Sequence, residues 1–236
     1  MTRALVVTHT EQEGPGLLAD WLATVGMDLE VLAPYAGDEL PPRTPAGYQA
    51  LIVMGGPMGA GDEQSCPWLR TTKELLRDAV ERSVPTLGIC LGAQLLAAAC
   101  GGRVLAGSAG PELGAGLLAK RDVAATDVLF AAVPFTPDVI QWHWDEIADL
   151  PPQAVLLASS SRYAHQAFRV GERAWGLQFH LETPAEMVRR WAGHDAERTR
   201  AAGLDPDRVL SGALAVLPDV EAAWRPVIER FAELAA

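Results

Sequence analysis

The sequence has few cysteines, and they follow neither a metal-binding nor a disulfide pattern. Its 236 residues include only Cys66, Cys90 and Cys100, an odd number without the paired spacings of a zinc site. A chain of this length buries a sizeable core without disulfide bonds. We therefore expect reduced cysteines, a cytoplasmic setting and no metal site.

Positive charge and long apolar runs are also scarce. The chain has 19 Lys and Arg residues against 30 Asp and Glu, a net charge of -11 at pH 7, so its average surface repels phosphate backbones and anionic lipids. No stretch approaches the ~18 apolar residues of a membrane span, and the apolar run at 4–7 is too short for a secretory signal. We expect a soluble protein that binds neither nucleic acid nor membranes.

Short β-rich runs alternate with helical patterns through the first hundred residues, which is typical of a parallel sheet covered by helices on both faces. Later strands are shorter and carry hairpin signals, which predict a mixed sheet. We predict an α/β fold with one domain over 1–194, built on a mostly parallel mixed sheet, and a helical extension over 195–236 packed on that domain. The predicted strands are 4–7, 29–32, 50–54, 86–89, 155–158, 166–170 and 175–179, and the predicted helices are 14–25, 68–81, 91–100 and 206–236.

The strongest chemical signal is the segment Gly88–Gly92, a Gly-x-Cys-x-Gly motif where a predicted strand passes into a helix. This is the context of a nucleophile elbow, in which flanking glycines permit a tight turn that exposes one side chain. The positive N-terminal end of the helix favours a thiolate. The motif predicts that Cys90 is a nucleophile rather than a buried core cysteine.

A cysteine nucleophile needs a base and a group that orients the base. Of five histidines, His180 ends an apolar strand and precedes Glu182 by two residues. Residues two apart in an extended chain point the same way and lie roughly 7 Å apart, a gap that a glutamate side chain closes. We predict a triad of Cys90, His180 and Glu182. The other histidines are His9, His143, His165 and His194.

A glycine-rich turn, Gly55–Gly61, follows the third predicted strand. It lacks the lysine and the spacing of a phosphate-binding loop. With a thiolate at the neighbouring strand end, its backbone N–H groups are candidates for an oxyanion hole. We predict that Gly56 and the amide of Leu91, the residue after the nucleophile, form this hole.

These motifs resemble those of class I glutamine amidotransferases, in particular their stand-alone, GMP-synthase-like domains. The resemblance extends over about residues 3–191 and implies the flavodoxin-like architecture of that family. Five segments carry it: Gly55–Gly59, Pro67–Leu69, Gly88–Gln94, Glu112–Gly114 and Gly176–Glu182.

The resemblance also implies residue roles. Cys90 is the nucleophile, His180 the acid and base, and Glu182 the group that orients His180. No metal or organic cofactor is required. The residues implied to hold the substrate glutamine or to border its pocket are Gly55, Gly56, Gln94, Trp142, His143 and Trp144.

Two positions depart from the family pattern. The family has His-Pro-Glu where this chain has Leu181 between the two triad residues, and proline would fix the backbone there. The family also has Trp-His-Gly-Asp where this chain has Trp144 in place of the glycine. The first departure predicts a less rigid triad, and the second puts substrate choice in question.

The resemblance implies hydrolysis of a γ-glutamyl amide through a thioester on Cys90, and three functions stay open. The first is an amidotransferase that passes ammonia to an unidentified acceptor or to a separate partner synthase, because the last 45 or so residues are too few for a synthetase domain. The second is a stand-alone γ-glutamyl hydrolase or peptidase. The third is a non-catalytic binding or redox-sensing protein. The helical tail is a candidate contact for a second copy of the chain.

Overall fold

The computed structural model describes residues 2–236 of the chain. Twelve strands and six α-helices alternate within this range, with short 3-10 helices at Pro34–Ala36 and Asp122–Thr126. The strands are β1 (Thr2–Val7), β2 (Met27–Leu32), β3 (Ala50–Val53), β4 (Thr86–Ile89), β5 (Arg103–Ala106), β6 (Glu112–Leu117), β7 (Ala119–Lys120), β8 (Asp138–His143), β9 (Asp145–Asp149), β10 (Val155–Ser159), β11 (Ala167–Val170) and β12 (Ala174–Leu177). The helices are α1 (Leu17–Thr24), α2 (Trp68–Glu81), α3 (Leu91–Ala99), α4 (Ala185–His194), α5 (Ala196–Ala201) and α6 (Pro206–Leu234).

Eight strands form one mixed sheet in the order β2-β1-β3-β4-β12-β11-β10-β7. The pairs from β2 to β12 are parallel, and those from β12 to β7 are antiparallel. Because β4 and β12 are parallel neighbours, their carboxyl ends lie side by side at one edge of the sheet. This adjacency brings the segments after Ile89 and Leu177 together. The predicted α/β class and mixed sheet are confirmed.

Helices cover both faces of this sheet, and their apolar residues fill two cores. On one side α2 and α3 pack together. The helix α2 buries Leu69, Leu75 and Leu76 at helical spacing, and α3 is buried along nearly its whole length. The opposite core takes residues from α1, α4 and α6.

The C-terminal helix α6 packs against α1, α4, β6 and β8. Its Trp224 is fully buried, contacts Phe130 and Phe179, and donates an indole N–H hydrogen bond of 2.9 Å to the carbonyl of Asp138. The helix therefore supports the strand that runs beside the His180 segment. The division after residue 194 coincides with the end of α4 and stays a prediction.

Several predicted boundaries were wrong. The first helix begins at Leu17 instead of residue 14. Gly16 has a φ of +50, which is not helical, and the N–H of Leu17 donates its hydrogen bond to the carbonyl of Glu182. The last predicted strand ends at Leu177, so His180 lies beyond it. Two small antiparallel sheets, β5–β9 and β6–β8, were missed. Within residues 2–236, no helix is long and apolar enough to cross a membrane.

Candidate active site

Cys90 occupies a strained turn between β4 and α3. Its backbone has φ 51 and ψ -107, a conformation that costs a non-glycine residue on the order of 1–3 kcal/mol. The flanking glycines are required by contact: a Cβ on Gly88 would lie 2.6 Å from the Gly92 carbonyl oxygen, and one on Gly92 would collide with the carbonyl of Val53. The motif therefore forms the elbow that its sequence predicts.

The Cys90 sulfur lies at the positive end of α3, which favours negative charge there. The residue is 6% exposed. Its Sγ is 3.9 Å from the carbonyl oxygen of Trp142 and 3.8 Å from Nε2 of Gln178. Gln178 in turn accepts a 3.2 Å hydrogen bond from Nε2 of Gln94. The two amides thus form a chain that ends at the nucleophile.

His180 and Glu182 make the contact that their spacing predicts. His180 Nδ1 and Glu182 Oε1 are 2.7 Å apart, and both side chains are buried. The His180 backbone is tied to β8 by two hydrogen bonds with Ile140, of 2.8 and 3.1 Å. Its ring also packs on Trp191, with centroids 4.6 Å apart. Carboxylate, backbone and aromatic contacts together fix the imidazole.

Leu181 takes part in this arrangement through its backbone. Its N–H donates a 2.9 Å hydrogen bond to Oε2 of Glu182, while the other carboxylate oxygen contacts His180. Proline has no N–H and could not make this bond. The Leu181 N–H thus gives Glu182 a hydrogen bond that proline could not supply, and the expectation of a less rigid triad stays a prediction.

The electrostatics of the pair favour a protonated His180. Burial acts against the imidazolium, but the Glu182 carboxylate and the Cys90 sulfur outweigh it and raise the pKa of His180 well above its ordinary value. An imidazolium beside a cysteine stabilises the thiolate. The resting pair is therefore suited to nucleophilic attack followed by proton donation.

The glycine-rich turn after β3 is packed from behind by His9. A Cβ on Gly56 would lie within 3 Å of Met58, His9 and Leu91, so only glycine fits. His9 Nδ1 accepts a 3.2 Å hydrogen bond from the Trp68 indole, and burial lowers the pKa of His9 to about 4. His9 is thus neutral near pH 7 and supports the turn, while His180 carries the charge.

A cavity of about 620 Å³ opens over Cys90 and His180. Its volume lies within the range of small-molecule sites. One wall is the loop between β1 and α1, and another is formed by the β8–β9 turn together with α4 and α5. The third wall is the glycine-rich turn. A buried thiol, a paired histidine and packed glycine backbone thus meet in one cavity.

Residues 16–187 match the family model for class I glutamine amidotransferases. The chain belongs to this family. A solved glutamine amidotransferase from Thermotoga maritima superposes with a TM-score of 0.86 at 31% identity, over 98% of both chains.

Two curated relatives of the family carry different names. A glutamine-hydrolysing GMP synthase subunit of Pyrococcus furiosus is 32% identical over 161 residues, which are 66% of this chain and 78% of that one. Gamma-glutamyl peptidase 4 of Arabidopsis thaliana is 31% identical over 143 residues, 60% of this chain and 56% of the peptidase. The chain therefore spans about half the length of the peptidase.

The cavity over Cys90 and His180 is lined by most of the predicted site residues. Gly55, Leu91 and Glu182 do not line it: Glu182 lies behind His180, and the Glu13 side chain covers Gly55. The predicted residues that do line it are Gly56, Cys90, Gln94, Trp142, His143, Trp144 and His180.

Two of these lining residues are held by hydrogen-bond partners. The Trp142 indole N–H donates a 2.8 Å hydrogen bond to Asp195. His143 contacts the carbonyl of Asp145 at 2.8 Å through Nδ1 and Glu112 at 3.1 Å through Nε2. Both ring nitrogens of His143 are engaged, so this histidine shapes the wall and has no nitrogen left for a substrate.

Trp144 lines the cavity and also packs against the core. The guanidinium of Arg198, from α5, lies 3.8 Å from the centre of its ring. Such a cation–π contact stabilises the indole in one orientation. The residue that most departs from the family pattern is therefore a fixed part of the wall.

Sequence reasoning missed three groups around this cavity. Asp195 and Arg198 come from the C-terminal helices, and no local motif marks them. Glu13 comes from the loop after β1 and lies against Gly55. It lies well inside the loop that follows β1, so no local motif marks it either.

Proposed function

We propose that this protein hydrolyses a γ-glutamyl amide through Cys90, His180 and Glu182. The observation that carries the proposal is the hydrogen-bonded His180–Glu182 pair beside a cysteine at a nucleophile elbow, in one cavity. Class I glutamine amidotransferase is the family of the chain, and free glutamine is the first candidate substrate.

The reaction begins with attack of the Cys90 thiolate on the amide carbonyl carbon. The negative charge that develops on the carbonyl oxygen is taken by backbone N–H groups of Gly56 and Leu91. Amides in the first turn of a helix have no helical acceptor, which supports the role of Leu91. His180 gives its proton to the amide nitrogen, the C–N bond breaks, and ammonia or an amine leaves.

A γ-glutamyl thioester then remains on Cys90. Neutral His180 takes a proton from water, the resulting hydroxide attacks the thioester carbonyl, and the C–S bond breaks. Glutamate is released, and the thiolate and imidazolium are restored. Glu182 holds the ring so that Nε2 faces the reacting atoms in both steps.

The ammonia is passed to an acceptor on a separate protein in the first form of this proposal. The name of the Pyrococcus furiosus relative, which is one subunit of a GMP synthase, supports a synthase partner. Separately, a homo-oligomer of this chain stays a candidate assembly.

A stand-alone γ-glutamyl hydrolase is the second candidate. The observation that favours it is the extension of the cavity from Cys90 to Trp144 and Arg198, which offers an aromatic surface to a bulky leaving amine. The peptidase name of the Arabidopsis relative is consistent with this use.

The test is glutamate release by the purified protein from glutamine and from γ-glutamyl peptides. Cys90→Ala should reduce release to background, because the nucleophile is lost. Cys66→Ala, which changes a cysteine outside the cavity, is the matched control and should leave it intact. Equal rates in the native protein and Cys90→Ala would contradict the proposal. Absence of release from every substrate would favour a non-catalytic role.

A further inference from the structure

Glu13 is a half-buried residue whose carboxyl group lies in the cavity and is not used by the mechanism above. It lies on the loop between β1 and α1 and lines the cavity. A Cβ on Gly55 would collide with Oε2 of Glu13 and would lie 3.2 Å from Cε1 of His180. The carboxyl group therefore lies beside the catalytic imidazole, next to the glycine-rich turn.

The carboxyl group of Glu13 has no protein partner. No residue from 2 to 236 donates a hydrogen bond to it or forms an ion pair with it, and the charges that act on it are those of His180, Glu182 and Asp195. Burial raises the pKa of Glu13 to about 7, against the attraction of His180 and with the repulsion of the two carboxylates. Groups in a cleft whose pKa is strongly shifted cluster at functional sites.

The backbone holds this loop to the triad. Leu17 N–H donates a 2.8 Å hydrogen bond to the carbonyl of Glu182, and Gly16 packs so closely on the same carbonyl that a Cβ would collide with it. The end of this loop is thus anchored at the Glu182 carbonyl.

Glu13 and His180 line the same cavity. Because Nδ1 of His180 is held by Glu182, Nε2 is the ring nitrogen left to exchange protons. It gives a proton to the leaving nitrogen in the first step and takes one from water in the second, so these two groups occupy the same place in turn. Each carries a further N–H or O–H that can be donated to an acceptor in the cavity. The carboxyl oxygens of Glu13 can accept a hydrogen bond in either charge state.

We propose that Glu13 accepts a hydrogen bond from the group that exchanges a proton with His180: first the leaving nitrogen, then the attacking water. Glu13 itself takes up no proton, and the bonds made and broken are those of the two steps above. The inference rests on the proposed function. It adds a catalytic residue whose role is to hold the leaving nitrogen and the water.

The test compares Glu13→Ala and Glu13→Gln with Glu11→Gln, an exposed change in the same loop. Two assays are made. The first gives kcat and KM for the amide that the native protein hydrolyses, and the second gives the rate at which the chloroketone analogue of glutamine alkylates Cys90. Alkylation expels chloride and needs neither a leaving nitrogen nor water.

Glu13→Ala should lower kcat by about 10- to 100-fold, the range for a hydrogen bond to a charged group, with KM and alkylation within about 2-fold of native. Glu13→Gln keeps an acceptor oxygen, so its kcat should lie between those of Glu13→Ala and the native protein. Glu11→Gln should match native. Retained alkylation also shows that each variant is folded.

An unchanged kcat in Glu13→Ala would overturn the inference while the proposed function stands. A raised KM with slower alkylation at native kcat would also overturn it, because Glu13 would then bind the amino-acid end of the substrate. A native protein that hydrolyses no γ-glutamyl amide would overturn the proposed function, and the inference with it.

Discussion

At the scale of single residues, the site combines groups whose environments oppose each other. His180 is buried yet favours its charged form, because a carboxylate and a sulfur lie against it. Glu13 lies in the cavity beside Glu182 and Asp195, and desolvation raises its pKa to about 7, so that its charged and neutral forms are both present near pH 7. A carboxyl group and an imidazole with oppositely perturbed charge states are typical of a catalytic site.

The perturbed pKa of Glu13 predicts that Glu13→Gln changes stability in a pH-dependent way. The native fold binds a proton on Glu13 up to about pH 7, whereas the unfolded chain releases it near pH 4.5. Native stability therefore falls as the pH rises between these values. Glu13→Gln does not undergo this loss of stability. At pH 8 its free energy of unfolding should exceed that of the native protein by up to about 3 kcal/mol.

Urea unfolding at pH 5 and pH 8 checks this prediction, with Glu11→Gln as the exposed control. The gain of Glu13→Gln over native should be larger at pH 8 than at pH 5. A difference that does not depend on pH would mean that Glu13 ionises normally in the folded protein.

At the scale of elements, the elbow depends on the close approach of α3 to β3. Gly92 lies against the carbonyl of Val53, and this contact sets the position of the helix whose N-terminus faces Cys90. Any side chain there must push the helix away from the sheet.

Gly92→Ala should therefore destabilise the fold by more than about 2 kcal/mol and slow alkylation of Cys90 by displacing the helix. Gly212→Ala is the matched control, because that glycine lies within α6 with no atom within 4 Å of an added Cβ. It should stabilise the protein by about 1 kcal/mol. Thermal unfolding measures the stability of both variants, and the alkylation rate measures the reactivity of Cys90. Equal stability and equal alkylation rates in Gly92→Ala and Gly212→Ala would contradict the close packing of α3 on β3.

The parallel half of the fold could be predicted because its strands are short, buried and separated by clear helices. The elbow and the His180–Glu182 contact could also be predicted, since each depends on residues within five positions of one another. The β6–β8 pairing could not, because β6 contains Gly114 and Gly116, and glycine weakens the sequence signal of a strand. Glu13, Asp195 and Arg198 reach the cavity only through tertiary packing, for which sequence spacing holds no signal.

At the scale of the whole molecule, the C-terminal helices complete the cavity. Arg198 of α5 covers one face of Trp144, and Asp195 holds the Trp142 indole. The chain after α4 thus adds to the wall of the cavity that contains Cys90, which is distant from it in sequence.

Trp144→Gly should change the preference of this site between substrates. A bulky γ-glutamyl amide can bury its amine part against the indole, which contributes about 1–2 kcal/mol at 25 cal/mol per Å². The ratio of kcat/KM for that amide to kcat/KM for glutamine should fall about 5- to 30-fold in the variant. Arg198→Ala removes the guanidinium that lies over the Trp144 ring and serves as a comparison. An unchanged ratio would mean that Trp144 does not set the leaving-group preference.

The role of Cys90 as the nucleophile of a γ-glutamyl amidohydrolase is tested most directly by covalent labelling. The native protein is treated with the chloroketone analogue of glutamine, digested and examined by peptide mass spectrometry. We expect one label, on the peptide that contains Cys90, and its suppression by excess substrate. A label on Cys66 or Cys100, or labelling of Cys90 that substrate does not suppress, would contradict this role.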